Sequence, residues 1–216
     1  MNDQICIICG TPTHSFRHPK SHVLFHECPN CEVIFKDEKH YPSRERERHT
    51  YDDHQNSIDD FKYVNYLNNF IDSAVLPFKQ SGEVLDFGSG PVPVLATLIK
   101  QLGTFEVDIY DLHYAAERVF ELKLYDIITS TEVIEHLKKP IETIQMLKNH
   151  LKPNGIMSIM TLFHPKNHDQ FLDWFYIRDV THLVFFTSHT MSVIAEILSL
   201  KLIDTNDYRY VVFQNQ

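Results

Sequence analysis

Glu83-Val84-Leu85-Asp86-Phe87-Gly88-Ser89-Gly90 decides the fold. Val84, Leu85 and Phe87 read as a short buried strand, and Gly88-Ser89-Gly90 as a sharp turn where a ligand can approach the backbone. A helix is expected over residues 92–101, closed by Gly103. A second strand follows over residues 105–110 and ends at Asp111, 21 residues after Gly90. Strand, turn, helix and strand in this order build an open parallel sheet, whose ligands sit at the carboxyl ends of the strands. A carboxylate at Asp111 can accept hydrogen bonds from both ribose hydroxyls of a nucleotide. The glycine pair alone is a weak sign; the turn, the spacing and the acid together are much stronger. An NAD-binding Rossmann domain shares these features and stays open at this point.

The pattern continues in the same style. Residues 126–130 form a strand that runs into Thr131-Glu132-Val133-Ile134-Glu135-His136. If that turn is helical, Glu132, Glu135 and His136 share one face. Pro140 is a favourable first-turn residue for the next helix, and Ile141, Ile144, Leu147 and Leu151 give it a core face. A buried strand is expected over 156–161, a helix over 188–200, and a closing hairpin from 201–205 and 208–213 turned by Asn206-Asp207. Between them, residues 162–182 are rich in aromatics and carry Trp174. A lid over an acceptor and plain packing are both consistent with that stretch. Upstream, Ser57 is the expected cap of a lead-in helix with Asp60 three residues on, and Pro77 stops it. Residues 36–56 read as polar and irregular.

These segments together carry a family resemblance. V-L-D-F-G-S-G at 84–90 resembles motif I of the class I methyltransferases, and I-Y-D-L at 109–112 their second motif. Y-D-I-I-T-S-T-E-V-I-E-H-L at 125–137 resembles their fourth motif, and L-K-P-N-G-I-M-S-I-M-T at 151–161 the turn into their fifth strand. The last two segments disfavour the NAD-binding alternative. With Y-x-x-H-x-N at 51–56, R-D-V-T-H at 178–182 and an N-terminal cysteine module, the whole chain resembles an uncharacterised group of bacterial zinc-ribbon methyltransferases. The resemblance implies S-adenosylmethionine as cofactor, held by Asp86, Gly88, Ser89, Gly90, Asp111, Leu112, Thr131 and Tyr51. It implies an α/β Rossmann-like methyltransferase sheet. Only 14 residues, 112–125, separate the second strand from the fourth-motif strand, where the family normally fits a helix, a strand and another helix. A parallel crossover alone takes about a dozen residues. The sheet is therefore expected to be shortened, without its third strand.

E-V-I-E-H followed by Thr181-His182 is similar to the metal-binding pattern of small-RNA 2′-O-methyltransferases. That likeness brings His182 together with Glu132, Glu135 and His136 as candidate catalytic residues. A divalent Mg²⁺ or Mn²⁺ held there would orient a substrate hydroxyl and lower its pKa. The plainer alternative has Glu132 lining the cofactor pocket, with Glu135 and His136 structural. O-methylation of a small molecule is the preferred reading. A non-catalytic cofactor-binding module and an RNA methyltransferase are the rivals.

Cys6 and Cys9 form one C-x-x-C pair and Cys28 and Cys31 another, with 18 residues between the pairs. That is the spacing of a zinc ribbon, two knuckles that supply four thiolates to one structural Zn²⁺. Residues 23–25 and 33–35 read as its strands, and His22 and His26 as exposed spare donors. So small a module is expected to fold on metal binding. The organisation expected is a ribbon over 1–40, a linker and lead-in helix over 41–79, and a methyltransferase domain over 80–216.

Hydrophobic residues make up 43% of the 216 positions, ample for a core, and the net charge of −9 disfavours non-specific nucleic-acid binding. No stretch reaches the length of a membrane span, and the N-terminus lacks a signal-peptide pattern. The expectation is a cytoplasmic protein acting on a small-molecule substrate.

Overall fold

The computed structural model describes residues 4–52 and 56–216. Three short strands open the chain: β1 (His14–Arg17), β2 (Leu24–Glu27) and β3 (Ile34–Lys36). Helices α1 (Arg44–Asp52) and α2 (Phe61–Ala74) follow. Then come β4 (Gly82–Phe87), α3 (Val94–Gln101), β5 (Phe105–Tyr110), β6 (Tyr125–Thr131), α4 (Pro140–Lys148) and β7 (Leu151–Met160). The chain closes with α5 (His168–Asp173), β8 (Val184–Phe185), α6 (Ser188–Ile197), β9 (Leu200–Thr205) and β10 (Tyr210–Asn215).

The main sheet runs β5-β4-β6-β7-β10-β9. The first four strands are parallel, and β10 lies antiparallel to both β7 and β9. Successive residues enter opposite faces. Val84, Ile127, Ile156 and Val212 pack with α2 and α3, whereas Leu85, Ile128, Met157 and Val211 pack with α4 and α6. This is the period-two alternation of strands covered by helices on both sides.

The expected loss of the third strand holds among the described residues: β5 ends the sheet. After it the chain makes a tight turn, with Asp111 and Ala115 bonded to each other, and a 3₁₀ turn at Val119–Leu122. Phe120 is fully buried there and packs edge-on against Tyr110, with ring centroids 5.1 Å apart. One aromatic side chain thus closes the ground a strand would cover.

The N-terminal strands form a second sheet, β1-β2-β3-β8, in which β8 comes from far along the chain. Ile34 pairs with Phe185 and Phe35 with Val184. Cys6, Ile8, Cys28, Cys31, Val33 and Phe35 share one continuous core with Leu85 and Ile128 of the main sheet. The ribbon therefore shares its burial with the main core and does not rely on its own apolar content alone.

Local expectations are corrected in several places. Residues 36–56 are not wholly irregular, because α1 forms there with no buried residue to mark it in the sequence. The cap of α2 is Asp60, not Ser57; its carboxylate accepts from the Lys62 and Tyr63 N–H groups. His26 is buried rather than exposed, bonded to Ser15 and to Asp37. Residues 162–182 contain α5 and a 3₁₀ turn at Phe175–Arg178.

Candidate functional site

The turn after β4 works because residue 88 has no side chain. Gly88 has φ +84°, and a Cβ there would stand 2.2 Å from a Val133 methyl. Its N–H and that of Ser89 donate to the Tyr110 carbonyl at 2.7 and 3.1 Å, fastening the turn to the end of β5. Gly90 N donates to Asp111 Oδ2 at 2.9 Å. His113 N and Tyr114 N donate to Asp111 Oδ1 at 2.8 and 3.1 Å. A carboxylate offers about four acceptor places. Three are taken by backbone donors, and Asp111 keeps acceptor capacity for a ligand hydroxyl.

Asp86 lies beneath the turn, only 2% exposed, and accepts from Thr129 Oγ1 at 3.1 Å. It also accepts from Ala96 N in the first turn of α3, a helix whose own cap, Pro93, supplies no side-chain bond. Burial pushes its carboxyl up to about 7.

A cleft of about 1330 Å³ runs from this turn past Asp111, Leu112 and Thr131 to Glu132, His136 and His182. Tyr51 of α1 reaches its far wall, edge-on to His136 at 5.3 Å and tilted toward His113 at 5.6 Å. His54 lies outside the described residues. Ser89 Oγ and His113 Nε2 are buried on the cleft wall without a hydrogen-bond partner. Buried polar atoms left in this way fit the recognition of a polar ligand. The remaining residues fit S-adenosylmethionine equally: a backbone cradle, an acid for the ribose, and aromatic walls.

The acidic segment after β6 is not an α-helix. Glu132 takes a left-handed conformation (φ 54°), and a 3₁₀ turn follows at Ile134–His136. Such a backbone costs about 1–3 kcal/mol in a non-glycine residue and survives only when its surroundings fix it. Here they do. Glu132 N donates to the Met160 carbonyl at 2.8 Å. Its carboxylate accepts from the Tyr66 hydroxyl at 2.6 Å and the Tyr176 hydroxyl at 2.7 Å.

Tyr176 also bonds Glu135 Oε1. One phenol carries one hydrogen, so holding both carboxyls requires a second proton on the pair. Burial and the neighbouring Glu132 raise Glu135 well above the usual carboxylate range, which supplies it. Glu135 is fully buried, and its other oxygen, Oε2, has no partner.

The two histidines are set the same way. His136 Nδ1 lies 3.0 Å from the Thr181 carbonyl, and His182 Nδ1 lies 2.9 Å from the Tyr176 carbonyl. A carbonyl only accepts, so each Nδ1 carries hydrogen and each Nε2 keeps a lone pair when the ring is neutral. Burial lowers the His182 pKa, opposed by Asp179, and so favours that neutral ring. The rings lie 4.7 Å apart. Ligand atoms of Glu135, His136 and His182 fall within 4.8 Å of one another. Glu132 joins them through Tyr176.

The four cysteines also converge, again within 4.8 Å, with closest sulfur pairs at 3.5 Å for Cys6–Cys31 and for Cys9–Cys28. All four are free thiols. Two sulfurs of a tetrahedral zinc site, each about 2.3 Å from the ion, stand about 3.8 Å apart. The cluster is compatible with a zinc ribbon. The two knuckles match in shape: Gly10 and Glu32, each following the second cysteine, are both left-handed and bonded back to the first.

Sequence reasoning missed Tyr66 and Lys36 and gave Tyr176 no polar role. No motif marks them, because each meets the site from a distant element.

The family model described as a methyltransferase domain matches residues 61–204. The chain belongs to this methyltransferase family. S-adenosylmethionine is the cofactor of the methyltransferase fold. Among solved structures, an O-methyltransferase family protein from Burkholderia thailandensis resembles the chain with TM-score 0.52 and 13% identity, over 73% of this chain and 61% of that one. An O-methyltransferase family 2 protein from Planctomyces limnophilus, in complex with apigenin, gives 0.53 and 15%, over 69% and 57%. The plantazolicin methyltransferase BpumL gives 0.51 and 15%, over 81% and 91%. These likenesses concern the fold, and the chain spans less than two thirds of the first two proteins. No curated protein matches the sequence. No described helix is long and apolar enough to cross a membrane.

Proposed function

We propose that this methyltransferase transfers the methyl group of S-adenosylmethionine to an oxygen atom of a small molecule. One observation carries the reading. The glycine turn, Asp111, Glu132, His136 and His182 line one cleft, at the carboxyl ends of neighbouring strands, with Glu135 buried beside the two histidines. Pockets for one small ligand typically span about 300–1,000 Å³, and this cleft of about 1330 Å³ exceeds that range, which suits a nucleoside and an acceptor bound together.

In this reading Gly90, Asp111 and Leu112 hold the nucleoside, and the acceptor oxygen faces the histidines. The acceptor oxygen forms a bond to the methyl carbon as the carbon–sulfur bond breaks, leaving S-adenosylhomocysteine. Positioning and desolvation do most of the work. The hydroxyl proton passes to a histidine Nε2 where no metal occupies it. Glu135, His136 and His182, with Glu132, would also hold a divalent cation; both Nδ1–H groups donate to carbonyls, the usual second-sphere arrangement of histidine ligands. Such an ion would supply Lewis-acid activation of the acceptor hydroxyl. The four cysteines would hold a structural zinc away from the chemistry. Small-molecule acceptors are favoured by the fold neighbours, one of them solved with apigenin, and by the net charge of −9.

Calorimetry with S-adenosylmethionine and S-adenosylhomocysteine tests the cofactor site, and failure of both to bind refutes the reading. Methyl transfer to a pool of hydroxylated small molecules, followed by mass spectrometry, tests the rest. Mg²⁺ or Mn²⁺ is expected to raise the rate, and Glu135→Ala to remove that response. An enzyme indifferent to a chelator that spares the ribbon zinc is not metal-assisted.

A further inference from the structure

We infer that the N-terminal ribbon is a working part of the active site, and that Lys36 of β3 is the positioning residue through which it acts. This rests on the assignment of His136 and His182 to the site.

Lys36 is the last residue of β3 and is only 4% exposed. Burying an ammonium group is costly unless its donors are used. Here they are spent on main-chain carbonyls of one irregular segment. Lys36 Nζ donates to the Asp179 carbonyl at 2.7 Å and lies 3.4 Å from the Val180 carbonyl. Its backbone N–H donates to the Leu183 carbonyl at 2.8 Å. A ribbon side chain and its own main chain thus grip the segment at both ends.

That segment carries or orients both histidines. His182 belongs to it, and the Thr181 carbonyl accepts from His136 Nδ1. Leu183 N donates to the Glu135 carbonyl at 2.7 Å. The segment does little to hold itself. Its internal bonds run from the Thr181 N–H and hydroxyl to Asp179 Oδ1, at 2.8 and 2.6 Å. Only beyond it does the chain enter β8 and pair with β3. Lys36 therefore decides where the Thr181 carbonyl stands, and through it which His136 nitrogen carries hydrogen. An aliphatic residue would fill the same volume and leave two carbonyls unpaired.

Lys36→Met keeps the apolar stem and removes the donors; Lys36→Arg keeps donors. Both are compared with wild type as the full chain. Four quantities are read: zinc content, S-adenosylhomocysteine affinity, Mn²⁺ affinity, and the ¹⁵N signature of the His136 ring. Wild type is expected to show a single Nδ1–H tautomer at His136 that exchanges slowly with water. Lys36→Met is expected to lose that signature and to bind Mn²⁺ about tenfold more weakly, the lower end of the effect of outer-sphere partners. Zinc content and S-adenosylhomocysteine affinity should stay at wild-type levels, and Lys36→Arg should restore the tautomer. A Lys36→Met protein that keeps the wild-type tautomer and Mn²⁺ affinity overturns the proposal. Loss of zinc or of S-adenosylhomocysteine binding in parallel also overturns it, since Lys36 would then be a general structural residue. If wild type binds no Mn²⁺, the metal reading fails by itself, and the tautomer decides the role of Lys36. Should Lys36→Met not fold, Lys36→Gln, with a head too short to reach both carbonyls, gives the same comparison.

Discussion

Replacing Asp86 by asparagine should flatten the dependence of stability on pH. Asp86 is the motif carboxyl beneath the glycine turn, 2% exposed, with Thr129 Oγ1 and Ala96 N as partners. Its pKa rises from 3.8 to about 7, mainly through burial. A raised carboxyl binds its proton more tightly in the folded chain than in the unfolded one. Its contribution is thus complete below pH 4 and is lost as pH rises toward 7. A tenfold difference in proton affinity between the folded and unfolded chain is worth about 1.4 kcal/mol, so the whole window spans about 4 kcal/mol. Between pH 5 and pH 7 the loss is about 2 kcal/mol. Urea unfolding of wild type and Asp86→Asn at these two pH values measures it, and the difference between the two slopes isolates this residue from other titrating groups. The variant should lose about 2 kcal/mol less than wild type on going from pH 5 to pH 7. Equal slopes would refute the reasoning, since they would mean that the site hydrates the carboxylate despite its burial.

Three further outcomes are expected. Gly88→Ala places a Cβ against Val133 and forces a side chain into a left-handed turn; S-adenosylhomocysteine affinity by calorimetry should fall at least tenfold, and unchanged affinity would show that the turn can move. Metal analysis should find one zinc per chain, abolished in Cys31→Ser, because the four sulfurs stand within 4.8 Å; full zinc content in the variant would place the ion elsewhere. Phe171→Ala should destabilise the chain by about 3–5 kcal/mol, the range for a large buried aromatic. Phe171 is fully buried, edge-on to Phe25 and Phe185 at 5.4 Å each, and so joins α5 to the ribbon. Chemical denaturation that shows a loss below about 1 kcal/mol would show that this contact carries little of the stability.

Much of the cofactor end was legible because it is local. A strand, a glycine turn and an acid lie within 28 consecutive positions, 84–111, and the bonds from Gly88 N to the Tyr110 carbonyl and from Gly90 N to the Asp111 carboxylate close that unit by itself. The shortened sheet was legible for the same reason, since 14 residues cannot make a crossover and a strand. Helix α1 was not, because it has no fully buried residue and so leaves no periodic apolar trace. Asp60 displaced Ser57 as the cap of α2 because both residue types can cap, and only the path of the backbone chooses between them.

The sequence by itself determined the succession of strands and helices along the chain, the turn at Gly88, the acid at Asp111 and the spacing of Cys6, Cys9, Cys28 and Cys31. Each rests on neighbours in the chain. Only the tertiary structure decided how the ribbon stands to the Glu135–His136–His182 group. Pairing of Phe35 with Val184 and the bonds from Lys36 to Asp179 and Leu183 join positions more than 140 residues apart. Tyr66 and Tyr176 also converge on Glu132 from two different elements, 66 and 44 residues away along the chain. Contacts of that range leave no periodicity or spacing in the sequence. They arise when a buried donor must find an acceptor and the folded chain offers it one.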